Sequence, residues 1–79
     1  MHLHISSSLH KSDMQIAWIE LNTPSGNFII QPEHAPMVVT LDPMSQVTYR
    51  LTTGKEETKK IGKGVAHVIR EGVTLLITE

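Results

Sequence analysis

Five histidines in a chain of 79 residues are the side chains best suited to chemistry, and their first use would be to bind a metal ion. His2 and His4 stand two apart, so on a strand both side chains would point to one face, and His10 is near enough to join them. Zinc or nickel suits imidazole but needs three or four ligands. The spacing matches no metal motif, and no acidic residue or cysteine completes the set. The favoured interpretation is a solvent-facing edge strand; a small histidine-rich metal-binding protein, with His34 or His67 as a further ligand, is the alternative.

His34 lies between Pro32 and Pro36, whose fixed φ angles predict an extended and rigid segment. A histidine can act as a general base, but it needs a nucleophile or a carboxylate placed against it. Glu33 is adjacent in the chain and would point away from His34 in an extended segment. A structural or interface role is therefore predicted for His34.

Two other candidate motifs lack the neighbouring residues that their chemistry requires. Gly62-Lys63-Gly64 is too short for a phosphate-binding loop. A biotinyl or lipoyl carrier would place a lysine between methionines at a hairpin tip, and Lys55 lacks that setting. The residues predict a binding or structural module with no catalytic residue and no cofactor, and not an enzyme.

Composition excludes further classes of protein. Seven Lys and Arg against eight Asp and Glu give a net charge of −1, which is not the basic character of a nucleic-acid binder. There is no cysteine for a disulfide framework. No apolar run approaches the length of a membrane span, and residues 1–13 do not resemble a signal peptide. We therefore expect a cytosolic chain, or one docked on something larger without membrane insertion. A domain this small buries only about 60% of its unfolded surface, so a partner is expected to complete its core.

The elements that must position these residues are strands. Short alternating runs rich in β-branched residues are separated by turn residues, which is typical of a sandwich or small barrel. The runs are 2–5, 15–21, 37–41, 47–51, 65–69 and 73–77. Turns at Gly54 and Gly72 predict two hairpins, and the mixed-charge residues 55–60 predict a solvated edge strand. The chain is predicted to be one all-β domain over residues 1–79.

Residues 25–38, SGNFIIQPEHAPMV, resemble the GEFGILPGHAPLV stretch of the epsilon subunit of F-type ATP synthase. The likeness is collinear over residues 14–79 and includes the closing VTLL at 73–76. Ile29 and Glu33 stand where the family has glycine, which suggests a slightly different loop path. The family continues into a two-helix hairpin, and this sequence stops at Glu79, so either a shortened chain or a natural short form is expected. The inhibitory and ATP-sensing behaviour of those helices is not carried over.

The resemblance implies a two-sheet antiparallel β-sandwich of the epsilon N-terminal type. It implies a non-catalytic rotor subunit that couples the gamma subunit to the c-ring during proton-driven ATP synthesis or hydrolysis, peripheral on the cytoplasmic face of the inner (plasma) membrane. The residues implied to face the c-ring loops are Pro24, Ser25, Gly26, Asn27 and Phe28. Those implied to contact gamma are His34, Ala35, Pro36 and Met37. Residues 24–28 are expected to form a loop, so that Asn27→Trp or Phe28→Asp would weaken ring contact without unfolding the domain.

Overall fold

The backbone forms strands throughout, as the alternating pattern predicts. The computed structural model describes residues 1–79 and contains eight strands and no helix. The strands are β1 (His2–Ser6), β2 (Lys11–Thr23), β3 (Gly26–Ile30), β4 (Met37–Thr40), β5 (Gln46–Leu51), β6 (Glu56–Lys60), β7 (Gly64–Ile69) and β8 (Gly72–Ile77). The all-β fold is confirmed, and so are both predicted hairpins, β5–β6 and β7–β8.

Two sheets form the sandwich, and β2 belongs to both of them. The first sheet has the order β4-β7-β8-β1-β2, and the second has the order β3-β2-β5-β6. β2 pairs with β1 as far as Gln15, with β5 from Ile16 and with β3 from Ile19. The register shifts between Ile16 and Trp18, which marks a bulge, and a bulge bends a strand and increases its twist. The bend lets β2 pass from one sheet into the other.

The space between the sheets is filled by the apolar side chains that alternate along the strands. Fifteen buried apolar residues form one cluster. Leu3 and Leu75 enter it from the first sheet, and Ile19 and Val47 enter it from the second. Each such side chain contributes about 1.5–3 kcal/mol when it is removed from water, so this cluster is the main source of stability.

The pairing of β1 with β8 departs from the predicted antiparallel arrangement. The other neighbouring strands are antiparallel, but these two run parallel, with His2 opposite Gly72. The connection between them is the whole chain from residue 6 to residue 72. β1 therefore lies inside the first sheet, between β8 and β2, and the interpretation of His2 and His4 as part of an edge strand is wrong.

The charged strand β6 lies at the edge of the second sheet, as predicted. The ion pairs at its N-terminal end are long and exposed: Arg50 lies 3.7 Å from Glu56, and Lys55 lies 3.8 Å from Glu57. Exposed pairs of this kind contribute little stability. The charges serve instead to keep an open strand edge from pairing with another chain.

Candidate functional site

The predicted ring-contact residues divide between a turn and a strand. Pro24 and Ser25 form the turn between β2 and β3, whereas residues 26–28 begin β3. The hydroxyl of Thr23 donates to the carbonyl of Gly26 at 2.9 Å and accepts the amide of Ser25 at 3.1 Å. Gly26 has a φ of 126°, which glycine adopts without a steric penalty. These contacts hold the turn in one geometry.

Phe28 lies on a strand, which corrects its predicted place on a loop. It pairs with Leu21 of β2, is half-buried, and packs against the core cluster. Asn27 is exposed, and its side-chain amide donates to the side-chain oxygen of Asn22 at 3.0 Å. Phe28→Asp would place a charge against the core, so it would destabilise the domain instead of testing ring contact alone. The accessible surface here consists of the turn and Asn27.

The segment between Pro32 and Pro36 begins with a turn, so the prediction that it is extended is wrong in its first half. The amide of His34 donates to the carbonyl of Gln31 at 3.2 Å, and Glu33 has a φ of 68°. A residue with a Cβ adopts this left-handed conformation at a cost of roughly 1–2 kcal/mol. Glu33 therefore has the backbone conformation that a glycine at this position would favour.

The predicted gamma-contact residues run from this turn onto the edge of the first sheet. His34 is half-buried, and its Nδ1–H donates to the carbonyl of Ala35 at 2.8 Å. Ala35 and Pro36 are exposed, and Met37, half-buried, opens β4. The ring of His34 is thus held against the backbone of its own segment, and its side chain makes no hydrogen bond to a nucleophile or a carboxylate, which suits a contact residue better than a base.

The outer face of the first sheet carries exposed apolar side chains that the sequence analysis did not assign. Val38, Val65, Ile69 and Leu76 are 67%, 37%, 42% and 55% exposed, and we call them the apolar face. They lie on the adjacent strands β4, β7 and β8, around His67, which pairs with Val38. A contiguous group of exposed apolar side chains is typical of an interaction surface.

The apolar face joins the two predicted contact segments. An open groove bordered by Val65 and Leu76 reaches Pro24, and Pro24 also lies beside Val38. At the other end, Val38 directly follows Met37, the last of the predicted gamma-contact residues. The β2–β3 turn and the apolar face therefore border one groove, and residues 34–37 lead into the apolar face along the chain, with Met37 on the core side of β4 and Val38 on its outer side.

The N-terminal histidines separate into two clusters. His2 Nε2–H and His4 Nδ1–H both donate to the same carboxylate oxygen of Asp13, at 2.7 and 2.8 Å. These hydrogen bonds, first from His4 and then from His2, lower the pKa of Asp13 below its ordinary value of 3.8. His10 lies elsewhere, so its predicted membership of the His2 and His4 group is wrong, and an acidic residue, Asp13, does complete that group.

His10 belongs to a polar network around Glu79. Lys59 lies 2.7 Å from one carboxylate oxygen, while Ser7 and His10 donate to the other at 2.8 and 3.0 Å. The interaction with Lys59, followed by those with His10 and Ser7, lowers the pKa of Glu79 from 4.5 to about 2. Because Lys59 lies on β6 and Ser7 lies between β1 and β2, the network links the two sheets.

Glu79→Gln is expected to lower the Tm at pH 7, because glutamine keeps the shape of the side chain but loses the charge that Lys59 and His10 stabilise. The folded-state pKa is depressed, so this stabilisation is complete above pH 4.5 and is lost as the pH falls through about 2. The two proteins should therefore differ at pH 7 and converge near pH 2 in thermal unfolding followed by circular dichroism. Glu71→Gln, at an exposed turn, is the matched control. A difference that did not vary with pH would assign the effect of Glu79 to packing instead of charge.

One family model matches the whole chain. It is the model of the β-sandwich domain of the ATP synthase delta/epsilon chain, and it matches residues 1–79. The chain belongs to this family. The resemblance seen in residues 14–79 of the delta/epsilon-type domain is therefore confirmed, and the match extends it to β1 and the β1–β2 connection.

Solved structures share the delta/epsilon fold. A chain in the central stalk/c-ring structure of the Tetrahymena thermophila mitochondrial ATP synthase aligns with a TM-score of 0.85 and 13% identity, over 100% of this domain and 63% of that chain. A chain in the Euglena gracilis mitochondrial ATP synthase, solved with OSCP, F1 and c-ring in rotational state 1, aligns with a TM-score of 0.86 and 22% identity, over 98% of this domain and 49% of that chain. At these identities the likeness establishes the fold, and the domain spans about half to two thirds of these relatives.

No curated protein sequence matches the delta/epsilon-type domain significantly. The structure contains no helix with the length and hydrophobicity needed to cross a bilayer.

Proposed function

We propose that this delta/epsilon-type domain is a non-catalytic central-stalk subunit of an F-type ATP synthase, which couples the gamma subunit to the c-ring during proton-driven ATP synthesis or hydrolysis. The family match over residues 1–79 carries the proposal. The fold shared with chains of mitochondrial ATP synthases is consistent with it. Within such a complex the domain would lie peripherally on the cytoplasmic face of the inner (plasma) membrane.

The gamma subunit would cover residues 34–37 and the apolar face. Val38 and Leu76 are more than half exposed, and burying apolar side chains is the main driving force of protein association. His34 lies at the border of this surface with its ring already held by the carbonyl of Ala35. A side chain that is ordered before binding loses less conformational entropy when the complex forms.

The c-ring would contact the β2–β3 turn. Pro24 and Ser25 project beyond the strands, and the hydroxyl of Thr23 braces them with hydrogen bonds at 2.9 and 3.1 Å. The proposed role requires no chemistry from the domain, because a rotor contact has only to hold its geometry under torque. Residues 24–28 and 34–37 would act through contact alone.

Recovery of partners from native membranes tests the proposal. An epitope-tagged chain, expressed in its source organism, is captured from detergent-solubilised membranes, and the bound proteins are identified by mass spectrometry. The expected result is recovery of the gamma, alpha and beta subunits together with the c subunit. Capture of the folded domain without any ATP synthase subunit would contradict the proposal.

His34→Ala is expected to weaken binding to the purified gamma subunit by about tenfold, which corresponds to about 1.4 kcal/mol. The Tm should change less, because the ring of His34 is half-buried and its hydrogen bond is made within its own segment. Isothermal titration calorimetry and thermal unfolding measure the two effects on the same protein. His10→Ala, at an exposed histidine outside this surface, is the control. If affinity falls only in proportion to a large loss of Tm, the role of His34 is structural.

A further inference from the structure

Three side chains of the first sheet converge on one point of its outer face. His2 and His4 alternate along β1 and therefore share a face, and the antiparallel register places Asp13 of β2 directly opposite His4. His2 Nε2, His4 Nδ1 and a carboxylate oxygen of Asp13 lie within 4.8 Å of one another. Since β1 is paired on both sides, by β8 and β2, the ligand positions are set by a central part of the sheet and not by a free terminus.

The same three atoms lie close to the positions that they would occupy around a bound metal ion. Bonds of about 2.0–2.2 Å from zinc to nitrogen and oxygen place neighbouring ligand atoms roughly 3.3 Å apart in a tetrahedral site. Both imidazole nitrogens now lie 2.7–2.8 Å from the Asp13 oxygen, because each donates a hydrogen bond to it. An ion at this point would move the proton on each of these nitrogens to the other nitrogen of the same ring, and each imidazole nitrogen would lie about half an ångström farther from the Asp13 oxygen.

We propose that His2, His4 and Asp13 bind one divalent transition-metal ion of the zinc class. Two imidazoles and one carboxylate suit Zn²⁺, Ni²⁺ or Cu²⁺, whereas Mg²⁺ and Ca²⁺ prefer a shell of oxygen ligands. The side chains of the three ligands are 47%, 32% and 58% exposed, so an ion can enter from solvent and water can complete its coordination. Gln15 lies outside the ligand set, with its amide nitrogen 3.4 Å from Nδ1 of His2; once the ion occupies Nε2, Nδ1 carries the proton, and a flipped amide would present its oxygen to accept it and orient the ring.

His10 provides an internal comparison. It also faces a carboxylate, that of Glu79, at 3.0 Å, but the ammonium of Lys59 already lies 2.7 Å from the same carboxylate. A resident cation at that position disfavours a second one, and His10 has no second imidazole beside it. The chain therefore contains one histidine–carboxylate cluster suited to a metal ion and one suited to a salt bridge.

Titration of the tag-free chain with zinc chloride tests the proposal. At a pH of about 7.5, where imidazole is largely neutral, isothermal titration calorimetry should show one equivalent of Zn²⁺ bound and none of Mg²⁺. In nuclear magnetic resonance spectra the imidazole signals of His2 and His4 should shift together, while those of His10, His34 and His67 should not. Saturating Zn²⁺ should also raise the Tm, because the ion binds only the folded arrangement.

Substitutions identify the ligands. His4→Gln and Asp13→Asn should each weaken Zn²⁺ binding by at least about tenfold, and His10→Gln should leave it unchanged. Circular dichroism checks that each variant is folded; if His4→Gln does not fold, His2→Gln at the more exposed position takes its place. Binding that survived Asp13→Asn, zinc shifts spread over all five histidines, or no binding would each overturn the proposal.

Discussion

Gly72→Ala is expected to unfold the domain or to lower its Tm by more than about 10 °C. A Cβ added at Gly72 would lie 2.1 Å from the carbonyl oxygen of His2 and 2.9 Å from its carbonyl carbon. Both atoms belong to the backbone, so no side-chain rotation relieves the clash. Overpacking of this kind typically costs about 1–3 kcal/mol and occasionally more, and 1 kcal/mol shifts the Tm of a domain this size by roughly 4–8 °C.

The loss of stability would arise at the pairing of β1 with β8 in the first sheet. His2 lies opposite Gly72, and its amide donates to the carbonyl of Glu71 at 3.0 Å, so moving the backbones apart breaks the parallel β1–β8 contact. A domain of this length has a total stability of about 4–12 kcal/mol, and a loss of this size is a large fraction of it. Thermal unfolding followed by circular dichroism measures the effect, with Glu71→Ala in the same turn as the control. A Gly72→Ala protein with a nearly unchanged Tm would show that β1 and β8 tolerate a wider separation.

Val38→Asp is expected to weaken binding of the gamma subunit by about 30-fold or more, which corresponds to about 2 kcal/mol. Val38 is 67% exposed at the centre of the proposed contact surface, between residues 34–37 and the rest of the apolar face. A carboxylate buried there by a partner would lose its hydration without gaining a designed counter-charge. The free domain would keep the same side chain in water, so its Tm should change little.

Ile29→Asp is the matched control for Val38→Asp. Ile29 is also a β-branched strand residue and is 54% exposed, but it lies on β3 of the second sheet, whereas the apolar face belongs to the first. Calorimetric titration of the purified gamma subunit into each variant should show a loss of affinity for Val38→Asp and none for Ile29→Asp. Equal affinities would mean that gamma docks elsewhere, and the result would leave the family membership of the chain untouched.

The local sequence pattern was sufficient to predict the two C-terminal hairpins and the charged edge strand. Residues 47–51 and 65–69 alternate cleanly and are followed by Gly54 and Gly72, so each turn and its flanking strands are specified within about twelve residues. The sequence also contains a signal for the apolar face, although the strand and turn patterns alone do not assign it. Leu75, Leu76 and Ile77 are consecutive apolar residues, and a strand with both faces apolar indicates that its outer side is also to be covered.

Two errors concern segments where hydrogen bonding between nearby residues outweighs the preferences of single residues. The resemblance implies a loop at Phe28, but pairing with Leu21 extends β3 to include it. Two flanking prolines predict an extended segment. In the structure the amide of His34 donates to the carbonyl of Gln31, and Glu33 adopts a left-handed backbone conformation. In each case a hydrogen bond in the folded chain outweighed a local preference of similar size.

The sequence by itself determined the all-β fold and most of the strands and turns, because these follow from alternation and turn chemistry over short distances, while the family resemblance came from the ordered motifs of residues 14–79. It did not determine β3 or the turn at residues 32–34, and beyond the two hairpins only the tertiary structure decided which strands are neighbours. The register of β1 on β2 brings Asp13 to His2 and His4, and the return of β8 brings Glu79 to Lys59. Sheet order and register are set by burying one face of every strand in a common core, and that is a property of the whole chain.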